Sequence, residues 1–226
     1  MAAALANPQR KLNRLVLTER AADGIERKLL ARVRPEIADA DAVVRLLPQG
    51  AVHQGVALQC EPLPSRSLAE IAKAQDGQRR IVVVLDQISD PHNVGAILRS
   101  AAAFAVAGVI VQDRNAPPES GVLAKAASGA LDVVPYFSVV NIARALKELS
   151  DLGFWRVALA GDGEQTLKEA VSSGDIALVL GSEGSGLRRL VREHCDTAAF
   201  VPITASIESL NVSNAAAVAL YECRRT

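Results

Sequence analysis

RIVVVLDQISDPHNVGAILRSAAAFAVAGVIVQD, residues 80–113, decides the fold. It opens on an unbroken apolar run, 81–85, of the kind found in strands buried on both faces. Asp90 and Pro91 follow, a capping side chain and then proline, which suits a helix entrance. VGAILRSAAAFAV has helical character, and GVIVQD returns to a strand. Strand, helix and strand in this order build a parallel sheet covered by helices.

The alternation continues to the end of the chain. SGVLAKAASGAL reads as helix, DVVPYF as strand, and VNIARALKELSDLG as an amphipathic helix ended by glycine. FWRVALAG and DIALVLG read as strands, SGLRRLVREH as helix and AAFVPI as strand, before a last helix in SIESLNVSNAAAVALYE. Residues 81–226 are therefore expected to form one α/β domain on a parallel sheet. Residues 13–60 read as a smaller α/β unit. In it NRLVLT is a strand, GIERKLLARV a basic helix, and AVVRLL and GVALQC strand-like runs. So short a unit has a marginal core. The stretch 61–80, EPLPSRSLAEIAKAQDGQRR, reads as a connection: two prolines, a short helical pattern and a polar tail.

Half of the 226 residues are apolar and only 3% aromatic, so Ala, Val, Leu and Ile must build the core. The formal net charge is zero, but residues 1–34 hold 8 Lys/Arg against 3 Asp/Glu. That basic excess suits a nucleic-acid-binding appendage; the plainer alternative is a solvated helix face. Cys60, Cys195 and Cys223 lie far apart, so no metal site and a reduced, cytoplasmic chain are expected. MAAALANPQRK lacks the basic start of a signal peptide, and no long uncharged apolar run predicts a membrane span.

In open α/β sheets ligands bind beyond the carboxyl ends of the strands. Three post-strand stretches carry the polar residues. In DQISDPHNVGAILRS, 86–100, Asn93 falls in the first turn of the helix. Arg99 stands in an otherwise Ala/Ile/Leu face, from which helical side chains lean back toward the loop. A surface arginine is the plain alternative. In LVLGSEGSGL, 178–187, Gly181, Gly184 and Gly186 let backbone approach a ligand, and Glu183 between them suits a site carboxylate. The spacing is G-x-x-G-x-G, which departs from the G-x-G-x-x-G of dinucleotide sites. In VPITASIESLNVSNAAAVALYE, 201–222, Ser206, Ser209 and Asn211 crowd the entrance of a helix, where free N–H groups favour an electronegative partner. One N-cap explains one such residue, and several remain.

Together the three stretches resemble motifs 1, 2 and 3 of the SpoU family of RNA 2′-O-methyltransferases, in the SPOUT superfamily. Asn93-x5-Arg99, LVLGSEGSGL and PITASIESLNVSNAAAVALYE carry the resemblance, which covers 81–226. Residues 1–62, with HQGVAL at 53–58, resemble the small ribosomal-protein-like RNA-binding domain of the branch that modifies guanosine in large-subunit rRNA; 63–80 would link the two. The family counterpart carries a further strand and helix ahead of ALANPQRK, so this small domain is expected to be shortened at its start.

The resemblance implies a C-terminal trefoil knot, S-adenosylmethionine as cofactor, structured RNA as substrate (rRNA before tRNA), and a homodimer. It makes Asn93, Arg99, Glu183, Ser209 and Asn211 the catalytic set. It assigns the cofactor to Leu159, Ala160, Gly161, Leu180, Gly181, Gly184, Val201, Ile203 and Leu210. The alternatives are a tRNA methyltransferase and a catalytically silent RNA-binding assembly factor on the same fold. Two positions depart from the family pattern: Ile203 replaces a usual Met and Ala205 a usual Gly. Ala205 tightens the cofactor pocket if that position needs a positive φ.

Overall fold

The computed structural model describes residues 1–73 and 79–225; the part of the expected connection at 74–78 lies outside the described residues. The chain divides into two compact units, Met1–Pro64 and Ser65–Thr226. Among the described residues no helix is long and apolar enough to cross a membrane.

The first unit runs α1 (Ala2–Ala6), β1 (Leu12–Leu17), α2 (Glu19–Asp23), α3 (Arg27–Leu30), β2 (Pro35–Ile37), α4 (Ala40–Arg45) and β3 (Val56–Cys60). Its sheet has the order β2-β1-β3, with β2 parallel and β3 antiparallel to β1. Strand alternation splits the core: Leu15 and Leu17 pack with Leu5 on one face, Val16 with Val43 and Ala57 on the other.

Two expectations for this unit are corrected. AVVRLL, expected as a strand, lies in α4 and its C-terminal cap. Asp39 caps that helix by accepting from the Ala42 amide at 2.7 Å, and helical spacing buries Val43 while Val44 faces out. GIERKLLARV is helical only over Arg27–Leu30. Beyond it the Arg32 guanidinium turns back to donate to the carbonyls of Leu5 (2.7 Å), Asn7 (2.5 Å) and Arg10 (3.0 Å), fixing the end of α1.

That bond set also changes the meaning of the basic excess. Arg10 is buried and donates to the Glu61 carbonyl, while Lys11 pairs with Glu61, Arg14 with Glu36 and Lys28 with Glu26. Of the eight basic residues, Arg20, Arg27 and Arg34 are exposed with no hydrogen bond or ion pair among the described residues.

The second unit begins with a 3-10 turn, Leu68–Lys73, then follows the predicted alternation. Its elements are β4 (Ile81–Leu85), α5 (Pro91–Ala103), β5 (Gly108–Gln112), α6 (Gly121–Ala126), β6 (Tyr136–Val139) and α7 (Ile142–Asp151). They continue with β7 (Phe154–Leu159), β8 (Gln165–Thr166), α8 (Leu167–Ala170), β9 (Asp175–Leu180), α9 (Arg189–Glu193), β10 (Thr197–Phe200) and α10 (Val212–Arg225). Among the described residues the sheet has the order β6-β5-β4-β9-β7-β10-β8, with every pairing parallel.

Alternation along β4 assigns the layers. Ile81, Val83 and Leu85 face α5 and α10, where Ile97, Leu98, Ala216, Ala219 and Leu220 are buried. Val82 and Val84 face α7, through Ile142, Leu146 and Leu149. Each such Val, Leu or Ile side chain contributes about 1.5–3 kcal/mol by leaving water. Leu68 and Ile71 are buried in this second layer too, so part of the stretch read as a connection is core of the second unit. DVVPYF begins its strand only at Tyr136, because Pro135 lacks the N–H a ladder needs. The expected α/β class, with helices on both faces of a parallel sheet, is the fold observed.

Candidate active site

The strand order places the site. The chain runs β4, β5, β6 toward one edge, then crosses to build the other side. Leu85 pairs with Leu180, Leu180 with Leu159, and Leu159 with Ala199, so one row crosses β4, β9, β7 and β10. The loops leaving that row are 86–90, 181–188, 160–164 and 201–211. They emerge together at the carboxyl ends of adjacent strands, beside a reversal of strand order, where open sheets bind ligands.

Three of the five residues expected to be catalytic meet there. Asn93 sits in the first turn of α5, whose entrance Asp90 caps by accepting from the His92 amide at 2.9 Å. Glu183 comes from the loop after β9, and Asn211 immediately precedes α10. Glu183 Oε1 accepts from Asn211 Nδ2 at 2.7 Å, from the Val212 amide at 3.1 Å and from Asn93 Nδ2 at 3.5 Å. Asn211 Nδ2 also donates to Asn93 Oδ1 at 3.0 Å. The carboxylate thus occupies the N-terminus of a long helix, where dipole and free amides favour it. Asn211 Oδ1 caps the same helix, accepting from the Ser213 amide (3.0 Å) and hydroxyl (2.6 Å).

Arg99 and Ser209 stand apart. Both are exposed, and neither side chain makes a hydrogen bond or ion pair among the described residues. Six residues beyond Asn93, Arg99 is about 9 Å further along α5. The crowded polar residues at 206–214 therefore divide. Asn211 and Ser213 complete the cap, Ser206 pairs with the Thr204 hydroxyl at 2.6 Å, and Ser209 keeps its hydroxyl for another partner.

The residues expected at the cofactor line the same loops. Leu159 and Leu180 end β7 and β9 within the shared row, and Ala160 and Gly161 follow β7. Gly181 is required by space: a Cβ there would lie 2.3 Å from the Gly186 carbonyl carbon, because the loop doubles back. Ser182 and Gly186 form an isolated antiparallel bridge, and Gly184, at φ +86°, lies within the fold-back. Val201, Ile203 and Leu210 lie on the segment between β10 and α10, where Ile203 is 41% exposed. Ala205 is absent from the described non-glycine residues at positive φ, which are Gln54, Gln87, Ala105 and Ser128.

The sequence reading missed Gly163, whose Cβ would lie 2.7 Å from the Ala199 carbonyl carbon. It also missed the pairing of Asp162 with Arg192, at 2.8 Å, which holds that carboxyl below its ordinary value by hydrogen bonding. Arginines spaced along SGLRRLVREH were the available signal. Among the described residues no cluster of His, Cys, Asp or Glu could hold a metal ion.

The model of the SpoU rRNA Methylase family matches residues 80–221. The chain is 44% identical over 179 residues to the 23S rRNA (guanosine-2′-O-)-methyltransferase RlmB of Xylella fastidiosa, covering 78% of this chain and 72% of that one. It is 44% identical over 175 residues to RlmB of Nitrosomonas europaea, covering 76% and 66%. The SpoU methyltransferase AviRb of Streptomyces viridochromogenes, crystallised with AdoMet, superposes with a TM-score of 0.82 at 24% identity, covering 99% of this chain and 86% of that one. That last likeness speaks for the fold alone. The matched motifs and the extent of the identity show that the chain belongs to the SpoU rRNA methylase family.

Proposed function

We propose that this protein methylates a ribose 2′-hydroxyl, of a guanosine in 23S rRNA, using S-adenosylmethionine. The observation that carries this reading is the Asn93–Glu183–Asn211 cluster, assembled from three post-strand segments at the carboxyl edge of the sheet. The RlmB relatives support rRNA over tRNA as substrate.

The loops suit the cofactor. Leu159, Ala160, Gly161, Leu180, Gly181, Gly184, Val201, Ile203 and Leu210 hold it largely through backbone groups. The half-exposed Ile203 gives an apolar contact, and the tight glycine turn at 181–186 lets main chain come close. S-adenosylmethionine supplies a methyl group on a sulfonium. The protein's own part is orientation and electrostatics. Glu183 fixes the two asparagine amides, Ser209 and Asn211 meet the ribose, and Arg99 acts as a cation on the RNA phosphate and the developing 2′-oxygen. A guanidinium is effectively never neutral, so this reading casts Arg99 as a stabilising cation, and a water or an RNA phosphate oxygen takes the 2′-proton as the methyl group is transferred.

The reading includes a trefoil knot closed by α10 and a homodimer. The exposed Val218 and Tyr221 of α10 support an apolar contact with a second copy, at 44% and 56% exposure. The small first unit, with Arg20, Arg27 and Arg34 outward, binds RNA. The protein acts in the cytoplasm.

Methyl transfer from labelled S-adenosylmethionine into unmodified 23S rRNA and tRNA tests the reading, with the protein's solution mass measured alongside. Label in 23S rRNA that disappears with Arg99→Ala is the expected result. Label confined to tRNA overturns the substrate, and no label in either overturns the activity.

A further inference from the structure

Asp86 and Arg10 are the buried polar or charged residues of the described chain, and Asp86 is wholly buried. It follows the last residue of β4. Its amide donates to the Leu180 carbonyl at 2.8 Å, at the entrance of the 181–187 loop. Its carboxylate accepts from three groups of Arg188, at the exit of that loop: the amide at 3.0 Å, Nε at 2.8 Å and Nη2 at 2.5 Å. One residue thus grips both ends of the segment that carries Glu183. Between those ends the loop closes on itself, with the Gly186 amide donating to the Ser182 carbonyl at 2.9 Å and the Ser182 and Ser185 hydroxyls 2.6 Å apart.

A wholly buried carboxylate is an expensive way to hold a core together. Arg188 keeps 37% of its side chain exposed, but the Asp86 end is wholly buried, and apolar side chains of similar size often replace such buried charges without loss of stability. What apolar contacts lack is direction. The fork of Arg188 and the two ends of Asp86 set distances and angles, as preorganised sites require. We infer that Asp86 and Arg188 are a positioning pair: they set the fold-back of the 181–187 loop, and through it the place of Glu183 and of the backbone that meets the cofactor. This rests on the reading of the site given above.

The test compares wild type, Arg188→Met, Arg188→Lys and the double variant Asp86→Leu/Arg188→Met. Thermal stability and hydrogen exchange of the 181–188 amides are measured without ligand; S-adenosylmethionine affinity is measured by calorimetry. Arg188→Met leaves a buried charge unpaired and is expected to lose stability. The double variant is expected to regain that stability while its loop amides exchange at least tenfold faster than wild type and its cofactor binds at least tenfold more weakly. Arg188→Lys keeps the charge without the fork and is expected to fall between. A double variant with wild-type exchange and wild-type affinity overturns the proposal, because the pair is then merely structural. Wild-type protein that binds no S-adenosylmethionine overturns the reading of the site. The exchange result still decides whether the pair sets the loop.

Discussion

The two ends of α10 use the same physics to opposite purpose. Each is tied to distant parts of the chain, and each carries the charge that the helix dipole favours. At the N-terminus the acceptors are the side chains of Glu183 and Asn211, both exposed, and Glu183 Oε2 has no partner among the described residues. At the C-terminus the donors are guanidinium groups turned onto carbonyls. Arg224 donates to Phe104 (2.6 Å), Arg79 (3.0 Å) and Ala105 (2.5 Å), while Arg79 donates to Cys223 (3.0 Å), Gly174 (2.6 Å) and Val171 (2.5 Å). One end keeps hydrogen-bonding capacity open at the surface, as a site must. The other turns its donors inward and anchors the helix.

The largest effect that would sharpen this contrast is expected of Arg99, which stands about 9 Å along α5 from Asn93 and which the proposed function groups with the open end. Arg99→Ala is expected to lower methyl transfer by about 10²–10³-fold, the cost of removing one electrostatic stabiliser, with the melting temperature nearly unchanged because the exposed side chain makes no hydrogen bond or ion pair among the described residues. Asn211→Ser is the finer cut. It keeps a side-chain oxygen able to cap α10, adds no charge beside Glu183, and removes the Nδ2 donor that reaches Glu183 and Asn93. Helix stability should hold within about 1 kcal/mol, while turnover falls roughly tenfold or more through the lost charge-assisted bond. Equal losses of stability and turnover would break the distinction between cap and site.

The anchored end predicts the reverse. Arg224→Ala removes three bonds from a charged donor and leaves the carbonyls of Phe104 and Ala105 without it, which costs about 2–4 kcal/mol. Folded protein below its melting temperature should transfer methyl groups at the wild-type rate. A loss of specific activity at full folding would show that anchoring at the C-terminus reaches the site.

Much of this was legible before any coordinates. The apolar run 81–85 and the amphipathic 142–151 segment became strand and helix, because burial on both faces and on one face write different patterns. AVVRLL was misread because two β-branched residues in a short run resemble a strand, and the Asp39 cap three residues before Ala42 is what decides it. The Thr166–Glu169 capping box is written in the sequence as T-x-x-E and was passed over. Pro35–Ile37 is too short for periodicity to show. For the site, the motifs placed Asn93, Glu183 and Asn211 in three post-strand stretches, and the structure joins them. The Asp86–Arg188 bonds span 102 residues, so no local pattern could reveal them. The part Arg32 plays in the basic stretch 1–34 is equally out of reach of a local pattern, since its carbonyl partners lie 22–27 residues away.

The smallest effect tests how closed the anchored end is. Cys223 is buried in the last turn of α10, and burial pushes its thiol up to about 11, against the opposing pull of Arg79. The thiolate is the reactive form. At pH 8 a thiol with that value is ionised in about one molecule in a thousand, against roughly a quarter of free cysteine. Native protein treated briefly with iodoacetamide at pH 8 should therefore show unlabelled Cys223 by peptide mass spectrometry. Raising the pH toward 11 should increase labelling as the thiol ionises. The Arg224→Ala variant should label faster at pH 8, because releasing the helix end from Phe104 and Ala105 lets water reach the sulfur. Equal labelling in both proteins would mean that apolar packing alone closes this end. The guanidinium contacts at the C-terminus would then be as dispensable to burial as Arg99 is expected to be to folding.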